Sequence, residues 1–207
     1  MLDIRLEKVS KRYGANWIIR KATFDFNAGA TYALQGPNGS GKSTLIKILA
    51  GYLSPSYGKV LYQYGNGNLL TREEVYKQIN LSAPYVELIE SLKVDEMIDF
   101  QSRLKPFLNN WKTEDVLDFC YLTDFRKLYL WELSSGMLQR LKISLCIASA
   151  SSALFLDEPG TNLDQKAKSW FLQSLVDMQG GRTVIIASNE QQDFPAKAIP
   201  LSIEDFK

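Results

Sequence analysis

The segment Gly36-Pro37-Asn38-Gly39-Ser40-Gly41-Lys42-Ser43-Thr44 packs three glycines, a lysine and three hydroxyls into nine residues. It fits the pattern G-x-x-x-x-G-K-[ST], with Gly36, Gly41, Lys42 and Ser43 at the fixed positions. Glycines let consecutive backbone N–H groups curl around a polyphosphate without Cβ clashes. Lys42 can reach β- and γ-phosphates, and the Ser43 hydroxyl can ligate Mg²⁺. A Gly/Ser-rich turn is the plain alternative, and the flanking elements favour phosphate binding over it. A second group follows the apolar run Ala153-Leu154-Phe155-Leu156. Asp157 and Glu158 would stand at the carboxyl edge of a strand, where open α/β sheets form ligand sites. There Asp157 would hold Mg²⁺ through water and Glu158 would polarise an attacking water. Two acids at a strand end also suit a helix cap or a solvated turn; the phosphate loop upstream tips the balance to chemistry.

These groups need a strand before the loop and a helix after it. Ala30 to Gln35 reads as a short buried strand and Thr44 to Ala50 as a helix. The helix N-terminus then points its dipole at the anion. Upstream, Leu2 to Val9, Trp17 to Ile19 and Ala22 to Phe26 read as strands broken by turns at Tyr13–Asn16 and Asn27–Gly29. Gly58 to Tyr64 is a further strand, ending in the turn-rich Gly65-Asn66-Gly67-Asn68. From about residue 90 to about 150 the pattern turns helical. Val94 to Phe100 and Thr113 to Tyr121 have helical spacing, with Thr113 as N-cap and Pro106 between them. Gly136 to Ala150 is apolar nearly all round and should be deeply buried. Ala153 to Asp157 reads as a parallel-sheet strand, Gln165 to Gln179 as a helix and Thr183 to Ala187 as a β-branched strand.

Composition narrows the field. The chain has 207 residues, 45% of them apolar, with 24 basic and 23 acidic side chains. That is globular, and it carries no bulk charge to draw nucleic acid or an anionic membrane. Cys120 and Cys146 sit in apolar surroundings and read as buried free thiols. With no histidine, His-based acid–base chemistry is excluded. The opening residues Met1 to Lys8 alternate like a half-buried strand, unlike a signal peptide. No run approaches the about 18 apolar residues of a membrane span. The expectation is a cytoplasmic chain whose membrane part, if it has one, belongs to another polypeptide.

Leu133-Ser134-Ser135-Gly136-Met137-Leu138-Gln139-Arg140 resembles the signature of ATP-binding cassette (ABC) ATPases, usually LSGGQ followed by a helix. Ser134 and Gly136 match; Ser135 replaces a glycine and Met137 the glutamine. Ala153 to Pro159 resembles the family's Walker B segment, and Gly160-Thr161-Asn162-Leu163-Asp164 its D-loop. Tyr13 occupies the place of the aromatic that stacks on adenine, although a turn aromatic is its plain reading. Ser134 and Ser135 also suit a helix cap, and a capped helix N-terminus is itself an anion site. The resemblance covers nearly the whole chain. It implies one α/β domain over residues 1–207: a P-loop RecA-like core, an N-terminal antiparallel β-subdomain and a helical subdomain. It further implies ATP and Mg²⁺ as cofactors and a head-to-tail homodimer or heterodimer with another ABC domain. In that dimer Ser134, Gly136 and Asp164 join the nucleotide set. A separate transmembrane subunit of a transporter is the implied partner.

Two positions depart from the family. Pro84 stands where the Q-loop glutamine is expected and has no side-chain donor or acceptor. Asn189 stands where the switch histidine is expected; its amide can donate a hydrogen bond but carries no charge. Both leave nucleotide binding intact and point to slow hydrolysis. A soluble assembly-factor ATPase and a low-turnover regulatory subunit are the alternatives to a transporter subunit.

Overall fold

A computed structural model of the chain describes residues 2–65 and 67–207. Met1 of the alternating opening and Asn66 of the expected turn lie outside them. Strand β1 (Leu2–Tyr13) buries Leu2, Ile4 and Leu6 completely and leaves Arg5 exposed. This is the period-two pattern of an antiparallel strand with one covered face. Its hairpin partner β2 (Asn16–Phe26) is one strand where two were expected. Register shifts between Leu6 and Arg12 carry the pairing through the weakly patterned stretch. Strand β3 (Thr31–Gln35) leads through the glycine-rich loop into α1 (Lys42–Leu49). Then β4 (Tyr57–Tyr64) returns to the other edge of β1, completing a three-stranded antiparallel sheet in the order β2-β1-β4.

The next two elements, α2 (Arg72–Gln78) and β5 (Ile79–Ser82), were not expected. A cue for α2 was present: Thr71 and Glu74 close a capping box, each side chain bonding the other's backbone N–H. Helices α3 (Val94–Leu104), α4 (Thr113–Phe119) and α5 (Ser135–Ala148) follow. Val94, Ile98, Val116, Leu117, Leu130 and Leu141 make a hydrophobic cluster of their own among these helices. Thr113 is not the N-cap of α4: Lys112 is, and the Thr113 hydroxyl bonds the Asp99 carboxylate instead. Nor is α5 buried along its whole length. Leu141 and Ile143 to Ala148 are buried, whereas Ser135 is exposed and Gly136 to Arg140 are half-buried. The polar end of α5 thus reaches the surface. Cys120 and Cys146 are free and buried, and burial pushes both thiols up to about 12.

Strands β6 (Ala153–Asp157) and β7 (Thr183–Ser188), with helix α6 (Gln165–Met178) between them, and β8 (Ile199–Ser202) complete the core. The second sheet is five-stranded and parallel, in the order β5-β6-β7-β3-β8. Every residue of β6 and β7 is buried, which is why they read as unbroken apolar runs. Register places the site: Gln35 pairs with Ser188, and Asp157 with Ala187. The loop after β3, the acids at the end of β6 and Asn189 after β7 therefore stand at one carboxyl edge of the sheet.

Candidate functional site

Gly41 caps α1 at φ 110, where L side chains are strained, and a Cβ there would lie 2.7 Å from Ile18 Cγ2. The loop folds on itself through Ser40 N donating to Pro37 O at 3.2 Å. Lys42, only 5% exposed, turns back into it. Its Nζ donates to Gly36 O at 2.8 Å and to Pro37 O at 3.3 Å, and lies 3.4 Å from Glu158 Oε1. The ammonium is thereby held at the centre of the loop.

Asp157 ends β6 at 1% exposure, and both carboxylate oxygens are buried without a hydrogen-bond partner. Burial pushes its carboxyl above the usual range; the Ser43 hydroxyl and the charge of Lys42 oppose that shift, and Glu158 adds to it. Ser43 faces the carboxylate without closing a well-formed hydrogen bond. A desolvated, unpaired carboxylate is costly, and a hydrated divalent cation between Ser43 and Asp157 would satisfy it. The residues present fit Mg²⁺.

Glu158 adopts φ 48, a left-handed conformation that costs a non-glycine residue about 1–3 kcal/mol and concentrates at functional sites. Its N–H donates to Ala187 O at 2.7 Å. Its carboxylate lies between Lys42 and the Ser188 hydroxyl, which is 3.2 Å from Oε2. Ser188 Oγ also donates to Asp193 Oδ2 at 2.6 Å. One hydroxyl proton serves one acid at a time, so the shorter Asp193 bond leaves Glu158 lightly held. Asp193, 2% exposed, pairs with Lys168 at 3.3 Å, and Lys168 with Glu190 at 2.5 Å. The Asp193 carboxylate fills the space a Gly160 side chain would need. Sequence reading missed this buried network, since nothing in the spacing of Lys168, Ser188 and Asp193 links them. Lys168→Met should cost about 3 kcal/mol by stranding a buried carboxylate. Urea denaturation reads the loss, and an unchanged midpoint would show the network to be dispensable.

Asn38 to Thr44, Ile18, Pro84, Glu158, Thr161, Asn189 and Glu190 line one open cleft of about 560 Å³. A hollow of about 700 Å³ beside Ile48, Val60 and Tyr76 is larger but mostly apolar. The cleft gathers loop, acid and both departures from the family pattern. Other expected residues lie outside its walls. Tyr13, 51% exposed, ends β1 with Lys11 Nζ 5.3 Å from its ring; Ile18 is the β2 residue that lines the cleft. Ser134 is exposed and caps α5 by accepting from Met137 N at 3.3 Å. A Cβ on Gly136 would lie 3.0 Å from Asn162 O, so the start of α5 packs on the 160–164 loop. Asp164 caps α6 through Ala167 N at 2.7 Å.

A glycine-rich loop and an acidic strand end on one edge of a parallel sheet define a P-loop nucleotide-binding protein. Residues 19–161 match the family described as ABC transporter, and the chain belongs to that family. It is 30% identical over 181 residues to the taurine import ATP-binding protein TauB of Roseobacter denitrificans, covering 84% of this chain and 65% of TauB. It is 31% identical over 200 residues to a sulfate/thiosulfate import ATP-binding protein of Anthoceros angustus, covering 93% of this chain and 51% of that protein. The chain thus spans about half to two thirds of those relatives. A dimeric bacterial ABC transporter cassette superposes with a TM-score of 0.77 at 22% identity, over 97% of this chain and 94% of that one. The fold is that of ABC ATPase domains, as the sequence resemblance implied.

Proposed function

We propose that residues 1–207 work as one ATP-binding and ATP-hydrolysing domain of a transporter. It pairs with a second ABC domain, identical or not, and drives a separate membrane-spanning subunit from the cytoplasmic face. The observation that carries the reading is the buried, unpartnered Asp157 carboxylate beside Ser43 of the phosphate loop. The names of its relatives support the transport role. Among the described residues no helix is long and apolar enough to cross a membrane.

The amides of Gly36, Pro37-flanked Asn38, Gly39, Ser40, Gly41 and Thr44 surround the phosphates, and Lys42 neutralises the β/γ charge. Ser43 and Asp157 would hold Mg²⁺, and the cation would supply positive charge to offset that of the phosphates. Glu158 orients the attacking water and accepts from it; the loose Ser188 contact leaves its carboxylate free to do so. Asn189 donates a neutral hydrogen bond to the γ-phosphate. Tyr13 offers its exposed ring to adenine. Ser134 and Gly136, at the exposed start of α5, face a partner's nucleotide, with Asp164 holding the adjoining loop.

Pro84 and Asn189 both lie in the cleft wall, and this favours slow turnover. A charged hydrogen bond is worth about 1.5–3 kcal/mol, which corresponds to roughly ten- to a hundredfold in rate. Asn189→His should raise steady-state phosphate release by that factor and leave ATP affinity nearly unchanged. Fast release by the wild type, unaltered in Asn189→His, would contradict the assignment of position 189. No release by any variant under MgATP would contradict hydrolysis itself.

A further inference from the structure

The Tyr85 hydroxyl is buried and has no hydrogen-bond partner. It faces the Asp157 carboxylate, whose two oxygens are also buried and unpartnered. Each such group carries a desolvation cost that a further polar partner relieves. The ring is fixed from α1: Lys47 Nζ lies 3.8 Å from its centroid. Ser43 and Lys47 are four residues apart on α1 and so share a face. Tyr85 therefore docks on the face of α1 that presents Ser43. Its backbone is anchored in turn by buried Ala83, whose carbonyl accepts from Val86 N at 3.0 Å. Pro84, in the cleft wall, has no polar side-chain atom to offer there.

We infer that Tyr85 is a positioning residue for the cation end of the site. Its hydroxyl hydrogen-bonds a water of the hydrated divalent cation between Ser43 and Asp157, and so supplies the polar contact that Pro84 lacks. A phenol suits the task because it both donates and accepts, stays neutral at physiological pH and has only two rotatable side-chain bonds before the ring. The assignment rests on the reading of the cleft as a MgATP site.

Tyr85→Phe tests it, since the ring and its contact with Lys47 are kept and one oxygen is lost. Mn²⁺ is titrated into protein loaded with a non-hydrolysable ATP analogue, and free Mn²⁺ is followed by electron paramagnetic resonance. Tyr85→Phe should bind Mn²⁺ about fivefold more weakly, the worth of one net hydrogen bond. Analogue affinity in EDTA should not change, and kcat should fall with the KM for ATP kept. The nucleotide-free melting temperature should stay level or rise, because the deleted hydroxyl is unpartnered. Superimposed Mn²⁺ curves would overturn the assignment, as would a lowered melting temperature with unchanged Mn²⁺ affinity. Wild type that binds no nucleotide would overturn the MgATP reading together with it.

Discussion

Lys42→Ala is expected to abolish ATP binding at micromolar nucleotide. Its ammonium is the only side-chain cation among the described residues that line the cleft, and the loop is built to aim it. Two charge-assisted hydrogen bonds to phosphate oxygens, each worth about 1.5–3 kcal/mol, set the loss at a hundredfold or more. The fold should persist, because α1 is capped by Gly41 and anchored through Leu45, Ile46, Ile48 and Leu49 rather than through Lys42. Fluorescent-nucleotide titration measures the affinity and circular dichroism checks the fold. Retained affinity in a folded variant contradicts the phosphate-loop assignment.

Glu158→Gln should lower hydrolysis by about a hundred- to ten-thousandfold, the span of general-base contributions, while ATP still binds. Glutamine has nearly the same shape, so the left-handed backbone at φ 48 gains no new strain. Its amide oxygen keeps the Ser188 contact; what disappears is the negative charge that accepts the water proton. Removing that charge beside Lys42 leaves the ammonium more fully available to the γ-phosphate. The nucleotide should then persist long enough for a MgATP-bound dimer to accumulate, visible by size-exclusion chromatography. Unaltered phosphate release would move the general base elsewhere. Release that is lost without any dimer would favour a heterodimer or an obligatory membrane partner.

Much of this site was legible before the structure because its residues are contiguous. The loop from Gly36 to Thr44 and the end of β6 announce themselves by local spacing, and the parallel register merely brings them together. The apolar strands β3, β6 and β7 also read plainly, whereas β5, with Asn80 and Ser82 among its four residues, did not. The same logic explains the misses. Thr113 looked like a cap because the residue type favours it, but Asp99 from α3 offered its hydroxyl a tertiary partner. The apolar run of α5 did not show that its first turns emerge beside the 160–164 loop. Lys168, Ser188 and Asp193 come from α6, β7 and the segment beyond, so only the fold assembles them. Tyr85 carries no local signal beyond its place next to Pro84; only the fold sets its ring against Lys47 and its hydroxyl towards Asp157.

On the proposal above, Ser43, Asp157 and the loop around Lys42 hold MgATP. Equilibrium titration of the wild-type chain with ATP, once in Mg²⁺ and once in EDTA, tests it most directly. Binding should be saturable at one nucleotide per chain, and tighter in Mg²⁺ because the cation would satisfy the unpartnered Asp157 carboxylate. Absence of saturable binding, or isotherms that coincide with and without Mg²⁺, would contradict it.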